Sequence, residues 1–443
     1  GVVAMLARAH ARHGSLPWAD LFEPAIRLSE EGFEVSPRLS RIIERMPRLD
    51  VDPAMKSYLF LEDGSGLPVG HRLTNPEYAK TLRLLASDGP DVFYEGEIAE
   101  KIVDAVTNAP VAARPMTLED LGSYKAMKRD ELCGRYRQYT VCGMPPPSSG
   151  GVTVLQILGI LETFDIAALE PDSPEVLHLI VEASRLAYAD RNLYLGDTDF
   201  IPAPIEEMLN AEYLTSRASL IKFDTAFETV EAGDPVAFLN GEEGDPRALG
   251  LSPQPPSTSH FSVIDARGNA VSMTTTVEAP LGSHLMAGGF VLNNQLTDFS
   301  FIPEVDGKPV ANAVAPGKRP RSSMSPTIVF DENGSLYALI GSPGGPAIIG
   351  YTLKALLGVM DWGLSMQEAI DLPNLTVARG RTTFEAERFD AAVLERLREM
   401  GHDVNERPLT SGLHGVVVTP DGFDGGADPR REGVVVTGRI DEE

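Results

Sequence analysis

Several short polar runs in this chain carry side chains or backbone groups that could act on a substrate. The turn Gly341-Ser342-Pro343-Gly344-Gly345-Pro346 lies between a strand-like and a helix-like run. Glycine lets a backbone approach a ligand closely, and a helix's first turn leaves N–H groups without partners. The turn could therefore cradle an anion or an oxyanion, although such turns are more often plain connections. A phosphate loop would continue with Lys and then Ser or Thr; this one continues Pro346-Ala347-Ile348, which weakens a nucleotide reading. The run from Lys318 to Pro326 sets the adjacent hydroxyls of Ser322 and Ser323 beside basic residues, a combination able to hold a carboxylate. In isolation such a serine pair usually caps or lines a loop. In Asn293-Asn294-Gln295-Leu296-Thr297-Asp298, Gln295 and Asp298 could grip an ammonium group; equally, the run could be a turn using Asn and Asp for side-chain-to-backbone bonds. The usual hydrolytic sets are missing: there is no Gly-x-Ser-x-Gly elbow, and the eight histidines form no HExxH or HxH cluster. His260 alternates with Ser262 on a strand-like run and reads as a packed residue rather than a base.

These groups need elements to position them. Residues 258–265 and 270–277 are rich in β-formers and are separated by Ala266-Arg267-Gly268-Asn269, which predicts a hairpin. Pairing across a four- or five-residue loop puts Thr258 opposite Thr276 or Val277, so the two threonines come within contact range and Glu278 reaches the same end. Strands are predicted at 327–330 and 336–340, a helix at 347–360, and late strands at 415–419 and 433–437 flanking a loop with Asp428-Pro429-Arg430-Arg431. Upstream, residues 1 to about 130 read as mostly helical, with segments beginning near Val3 and Leu21 and others around 39–46, 78–85 and 98–106. Strand character follows at 132–144, then the breaker run from Pro145 to Gly151, then helices at 152–163 and 174–194. From Gly233 to Ser257, Gly, Pro, Asp and Glu dominate without apolar period; this reads as an exposed, mobile stretch of the kind where chains are cut.

Composition narrows the partners. Hydrophobic residues at 43% and charged residues at 23% are ordinary for a globular protein, and no apolar stretch approaches the roughly 20 residues of a membrane span. A net charge of −26 repels phosphate backbones and anionic headgroups, so nucleic acid and membrane are poor partners. Cys133 and Cys142 flank one short run with no second pair, so a zinc site is not expected, and two half-buried free thiols are favoured over a local disulfide. No cofactor or metal is called for, and the compartment is left open. Residue 1 is Gly with a helix-like pattern starting at once, so the chain is expected to begin inside a longer product.

Four runs, TSHFSVIDARGNAVSMTTT, NNQLTDFS, RPRSSMSPTIV and GSPGG, occur in the order and approximate spacing of the γ-glutamyltranspeptidase small subunit. PWADLFEPAIRLSEEGF and CGMPPPSSGG resemble its large subunit, and the closing DPRREG fits too, so the resemblance covers nearly the whole chain. It implies an α+β fold, the four-layer αββα sandwich of the N-terminal nucleophile hydrolases, made as a precursor that cleaves itself before a threonine. That bond would be Ser257–Thr258, dividing the chain into a large-subunit portion, 1–257, and a small subunit, 258–443, which remain one folded unit.

By resemblance, Thr258 is the nucleophile, Thr276 the second threonine of a dyad, and the Gly344 and Gly345 N–H groups hold the oxyanion. Cleavage converts the Thr258 nitrogen from an amide into an α-amine with a reference pKa near 7.7–8.0, able to take the proton of its own hydroxyl. Ser322 and Ser323 match residues that hold a glutamyl α-carboxylate, and Gln295 and Asp298 those that hold its α-amine. Glu278 stands where typical members have Asn, and the stretch from Asp298 to Lys318 is shorter than in members with a lid; both features are similar to the cephalosporin-acylase-like branch. The family's carboxylate-pairing arginine would lie upstream of residue 1. The expected substrates are γ-glutamyl amides such as glutathione, with water or an amino acid as acceptor. The alternatives are a glutaryl- or cephalosporin-type acylase on the same machinery and an uncleaved, non-catalytic binding protein.

Overall fold

A helix that is apolar all round has to be buried. The run Gly150–Leu161 is such a helix, and eleven of its twelve residues are buried, so it forms part of the core and not of the surface. Pro174–Tyr194 starts where Ser173 Oγ accepts the Val176 N–H at 3.4 Å and Pro174 fills the first turn, where a missing N–H costs nothing. The third core helix is Ile348–Met360. In this computed structural model, which describes residues 1–241, 247–250, 257–378 and 380–437, the three pack together on a six-stranded sheet. Its order is Gly422–Ala427, His414–Thr419, Leu336–Gly341, Thr327–Phe330, Tyr139–Gly143, Leu132–Tyr136, with antiparallel pairing throughout.

Alternation along these strands assigns the two faces. Ala338 and Ile340 belong to the core under the helices, and Gly415, which pairs with Ile340, is backed by Met366 of the helix Met366–Asp371. Gly341 and its partner His414 therefore face the other way. There the hairpin Ser259–Ile264/Ala270–Thr275 packs: a Cβ on Gly341 would lie 2.3 Å from His260 Cε1, so only glycine lets the hairpin come this close. The layers run helices, sheet, hairpin, which are three of the four layers of the expected αββα sandwich. On the hairpin's far side Phe261, Val263 and Val271 are exposed.

The chain forms two compact units, Gly1–Lys128 with Ala279–Asn294, and Arg129–Glu278 with Gln295–Glu443. The first is mostly helical as expected, with Val2–His13, Glu23–Glu31, Pro37–Arg45, Pro76–Asp88 and Glu97–Thr107 among its helices. The sheet, the core helices and the Ser257–Thr258 bond belong to the second.

Four expectations need correction. Cys133 and Cys142 are joined in a disulfide and are not free thiols. The predicted strand at 132–144 is a two-stranded pair whose register sets these residues directly opposite each other, so both side chains leave the sheet on one face. The last strand is Gly422–Ala427, and residues 433–437 form no strand. Glycine at 425 and 426 is a poor strand former, yet it is what this strand requires, because a Cβ on Gly426 would meet Ile370 Cδ1 at 2.7 Å and Gln367 N at 3.0 Å. The stretch after Gly233 is only partly open: Pro235–Asn240 is a helix capped by Asp234, and Arg247 is buried, donating to the Tyr194 and Pro202 carbonyls at 3.2 and 2.6 Å. Residues 242–246 and 251–256 of that stretch lie outside the described residues.

Candidate active site

The hairpin pairs Ser259 with Thr275, which carries Thr258 to Thr276, the first of the two registers expected. The Thr258 hydroxyl donates to Thr276 Oγ1 at 3.1 Å, and the same oxygen accepts the Glu278 N–H at 2.8 Å. Glu278 can turn its N–H back because it is left-handed, at φ 75°. Thr258 is also at positive φ, 95°. For a β-branched residue this is a strained backbone, costing on the order of 1–3 kcal/mol.

Facing Thr258 is the turn after Leu336–Gly341. Gly344 has φ 144°, and a Cβ there would sit 2.6 Å from the Tyr351 ring, so glycine is required on both counts. Its N–H donates to the carbonyl of Ser257 at 2.8 Å, the carbonyl of the bond expected to be cut. The turn is fixed from behind by Tyr188 Oη on the Pro346 carbonyl at 2.7 Å and by the Gly412 N–H on Ser342 Oγ at 3.3 Å.

On the acyl side the breaker run holds the serine pair. Ser322 N–H donates to the Pro147 carbonyl at 3.0 Å, and the Ser322 carbonyl accepts Ser149 N–H at 2.8 Å and Ser149 Oγ at 2.7 Å. Opposite, Gln295–Asp298 is one turn of 3-10 helix in which Gln295 Nε2 donates to Asp298 Oδ2 at 2.8 Å. Asn312 Nδ2 caps the turn through the Asp298 carbonyl at 2.7 Å.

An open cleft of about 280 Å³ collects Thr258, Thr276, Glu278, Gln295, Asp298, Ser322, Ser323 and Gly345, with Met324 and Ile348 as its apolar wall. Eight of the nine residues expected at the site thus line one cavity, and the ninth, Gly344, stands beside it on the Ser257 carbonyl. Two carboxylates, Glu278 and Asp298, are buried at its rim, each 5% exposed. Among the described residues no cluster of three or more His, Cys, Asp and Glu could hold a metal ion. His260 is packed as expected, with Nδ1 against Thr274 Oγ1 at 2.8 Å and Nε2 against Ser262 Oγ at 3.1 Å. Burial lowers its pKa to about 3, with the neighbouring His414 as a smaller cause, so at pH 7 it is neutral and only a weak base.

Sequence reasoning missed two arginines. Arg191, inside Pro174–Tyr194, is fully enclosed behind the serine pair and donates to Ser149 Oγ at 2.8 Å and Ser323 Oγ at 2.7 Å. A charged residue among Leu186, Ala187, Tyr188 and Tyr194 on a buried helix was the available signal. Arg431 donates from Nη1 to the Thr258 carbonyl at 3.2 Å. It lay in the quoted DPRREG run, with nothing local to say where it reaches.

The architecture has solved counterparts. The crystal structure of cephalosporin acylase from Bacillus halodurans superposes with a TM-score of 0.83 over 98% of this chain and 76% of that one, at 26% identity. Sandwich, hairpin and glycine turn together define an N-terminal nucleophile hydrolase. The family described as Gamma-glutamyltranspeptidase matches residues 1–438, and the chain belongs to it. Among its relatives are a glutathione hydrolase proenzyme of Escherichia coli (strain K12), 36% identical over 97% of this chain and 73% of the relative, and an acylase ACY 1 proenzyme of Pseudomonas sp. (strain SE83), 34% identical over 98% and 74%.

Proposed function

We propose that this protein cuts itself between Ser257 and Thr258 and then hydrolyses or transfers γ-glutamyl groups from amides of the glutathione type, with Thr258 as the nucleophile. One observation carries the reading: the Ser257 carbonyl rests on the Gly344 N–H at 2.8 Å while the Thr258 hydroxyl is held by Thr276 at 3.1 Å. The carbonyl to be attacked is polarised by a donor, and the attacking oxygen belongs to the next residue. Thr258 Oγ adds to the Ser257 carbonyl carbon, the C–N bond breaks as the amine takes a proton, and an ester links Ser257 to Thr258 Oγ. Water then hydrolyses that ester, leaving a Ser257 carboxylate and a Thr258 amine. Cleavage also relieves the positive φ, because a terminal residue has no preceding peptide to constrain it.

In the mature enzyme the same groups act on substrate. The Thr258 amine accepts the hydroxyl proton, Oγ attacks the γ-carbonyl, and the Gly344 and Gly345 N–H groups receive the oxyanion; loss of one such donor costs about 2.7–4 kcal/mol in comparable sites. Collapse expels the amine leaving group, and water or an amino acid takes the acyl group from Thr258. Ser322 and Ser323, backed by the Arg191 cation, suit an α-carboxylate, while Glu278 with Asp298 suits an α-ammonium. Two carboxylates facing one amine favour γ-glutamyl over glutaryl donors. The acylase reading is supported by the structural likeness to a cephalosporin acylase and by the openness of the cleft.

Intact mass with N-terminal sequencing tests the first step: a new terminus Thr-Ser-His-Phe is expected, and Thr258→Ala should show one uncut band and no turnover. Undiminished turnover by that variant would remove Thr258 from the mechanism. Comparing γ-glutamyl and glutaryl anilides, which differ only in the α-amine, then separates transpeptidase from acylase.

A further inference from the structure

After cleavage the base of the reaction is an amine, and it works only while unprotonated. The charges around it therefore decide how much enzyme is active at a given pH. Arg431 is held on the Thr410 carbonyl by two donors, Nε at 3.3 Å and Nη2 at 3.1 Å, which directs Nη1 onto the Thr258 carbonyl at 3.2 Å. Its stem crosses Gly412, where a Cβ would lie 2.7 Å from Arg431 Cδ, and the backbone N–H of Arg431 is tied to the Asp428 carbonyl at 3.2 Å. The guanidinium is thus fixed at both ends. Within Thr258 the carbonyl oxygen and the nitrogen are three bonds apart, so this permanent charge lies within roughly 6 Å of the nascent amine.

We propose that Arg431 is a positioning residue for the catalytic amine: it clamps the Thr258 carbonyl and, by its charge, keeps the liberated α-amine in the proton-accepting form. The proposal rests on the self-cleaving reading above. Its need is visible in the other charges. Glu278 and Asp298 line the cleft with Thr258, and both favour the ammonium form. Asp428 and Glu385 are engaged by Arg430, at 3.3 and 2.6 Å. His414, with Nδ1 on the Gly412 carbonyl at 2.9 Å, and His260 are lowered by burial, and Tyr351 is raised by it, so these three are neutral near pH 7. Arg191 and Arg321 are enclosed behind the serine pair, with Arg191 engaged on Ser149 and Ser323. Among the described residues, Arg431 is the cation placed on Thr258 itself.

The experiment is the pH profile of kcat/KM for a γ-glutamyl anilide in mature wild type, Arg431→Gln and Arg431→Lys, each with the Thr258 terminus verified by sequencing. Removing the charge should move the acid limb up by about one pH unit, and Arg431→Lys should bring it back toward wild type. A purely structural role would lower the plateau without moving the limb. If the Arg431→Gln limb coincides with wild type, the proposal is wrong while the self-cleaving reading stands. A wild-type chain that turns over while uncut would sink that reading instead. Should Arg431→Gln not fold, the pH dependence of cyanate labelling at the wild-type Thr258 amine reports its pKa directly. A value below the reference range of about 7.7–8.0 is expected, and one at or above it overturns the proposal.

Discussion

Thr258 brings three groups to one place: a hydroxyl on Thr276, a carbonyl on Arg431, and a preceding carbonyl on Gly344. Substrate choice belongs to the same scale. Asp298 takes the Gln295 amide on Oδ2 and is held from the back through its own carbonyl by Asn312, so its carboxylate is presented, not mobile. A charged hydrogen bond to a substrate ammonium contributes about 1.5–3 kcal/mol. Asp298→Ala should therefore raise KM for γ-glutamyl anilide by about 10- to 100-fold and change KM for the glutaryl analogue only slightly. Equal effects on the two would show that Asp298 does not read the amine.

At the scale of elements, the hairpin can deliver Thr258 only because it lies close on the sheet, with His260 directly over Gly341. Gly341→Ala puts a methyl group where the imidazole stands. The expected result is a loss of about 1–3 kcal/mol of stability and a fall in self-cleavage, read by chemical denaturation and by the fraction of cut chain on a denaturing gel. The buried imidazole also sets an acid limit. With its folded pKa depressed to about 3 against an unfolded value near 6.5, His260 favours folding fully above pH 6.5, and that contribution is lost as pH falls from 6.5 toward 3. His402, lowered to about 4 mainly by burial, adds in the same direction. The melting temperature should drop steadily from pH 6.5 to pH 4, and His260→Asn should flatten that drop; an unchanged slope in the variant would acquit His260.

For the whole molecule, the disulfide lies on the edge pair Leu132–Tyr136/Tyr139–Gly143, away from Leu336–Gly341 and the glycine turn that follows it. Closing so short a loop stabilises by roughly 2–3 kcal/mol in the chain-entropy account. Replacing both cysteines by serine should lower the melting temperature by a few degrees and leave kcat/KM for γ-glutamyl anilide unchanged. A large kinetic effect would mean that the sheet edge and the site are coupled.

The sequence by itself determined most of the elements and nominated the residues that gather in the candidate site. The apolar lengths of the core helices, the β-rich runs around residues 266–269 and the glycine turn are local signals, because propensity and period act over a few residues. Pairing arithmetic then brought Thr258 to Thr276 without any tertiary information. Tertiary structure alone decided the rest. Gly422–Ala427 became a strand because a neighbouring strand and a closely packed helix needed its glycines, against its own propensity. Cys133 and Cys142 became a disulfide through register. Arg191 reaches Ser323 across 132 residues, and Arg431 reaches Thr258 across 173. Such contacts leave no periodic trace, since each depends on where two distant segments meet, and that is settled only when the layers pack.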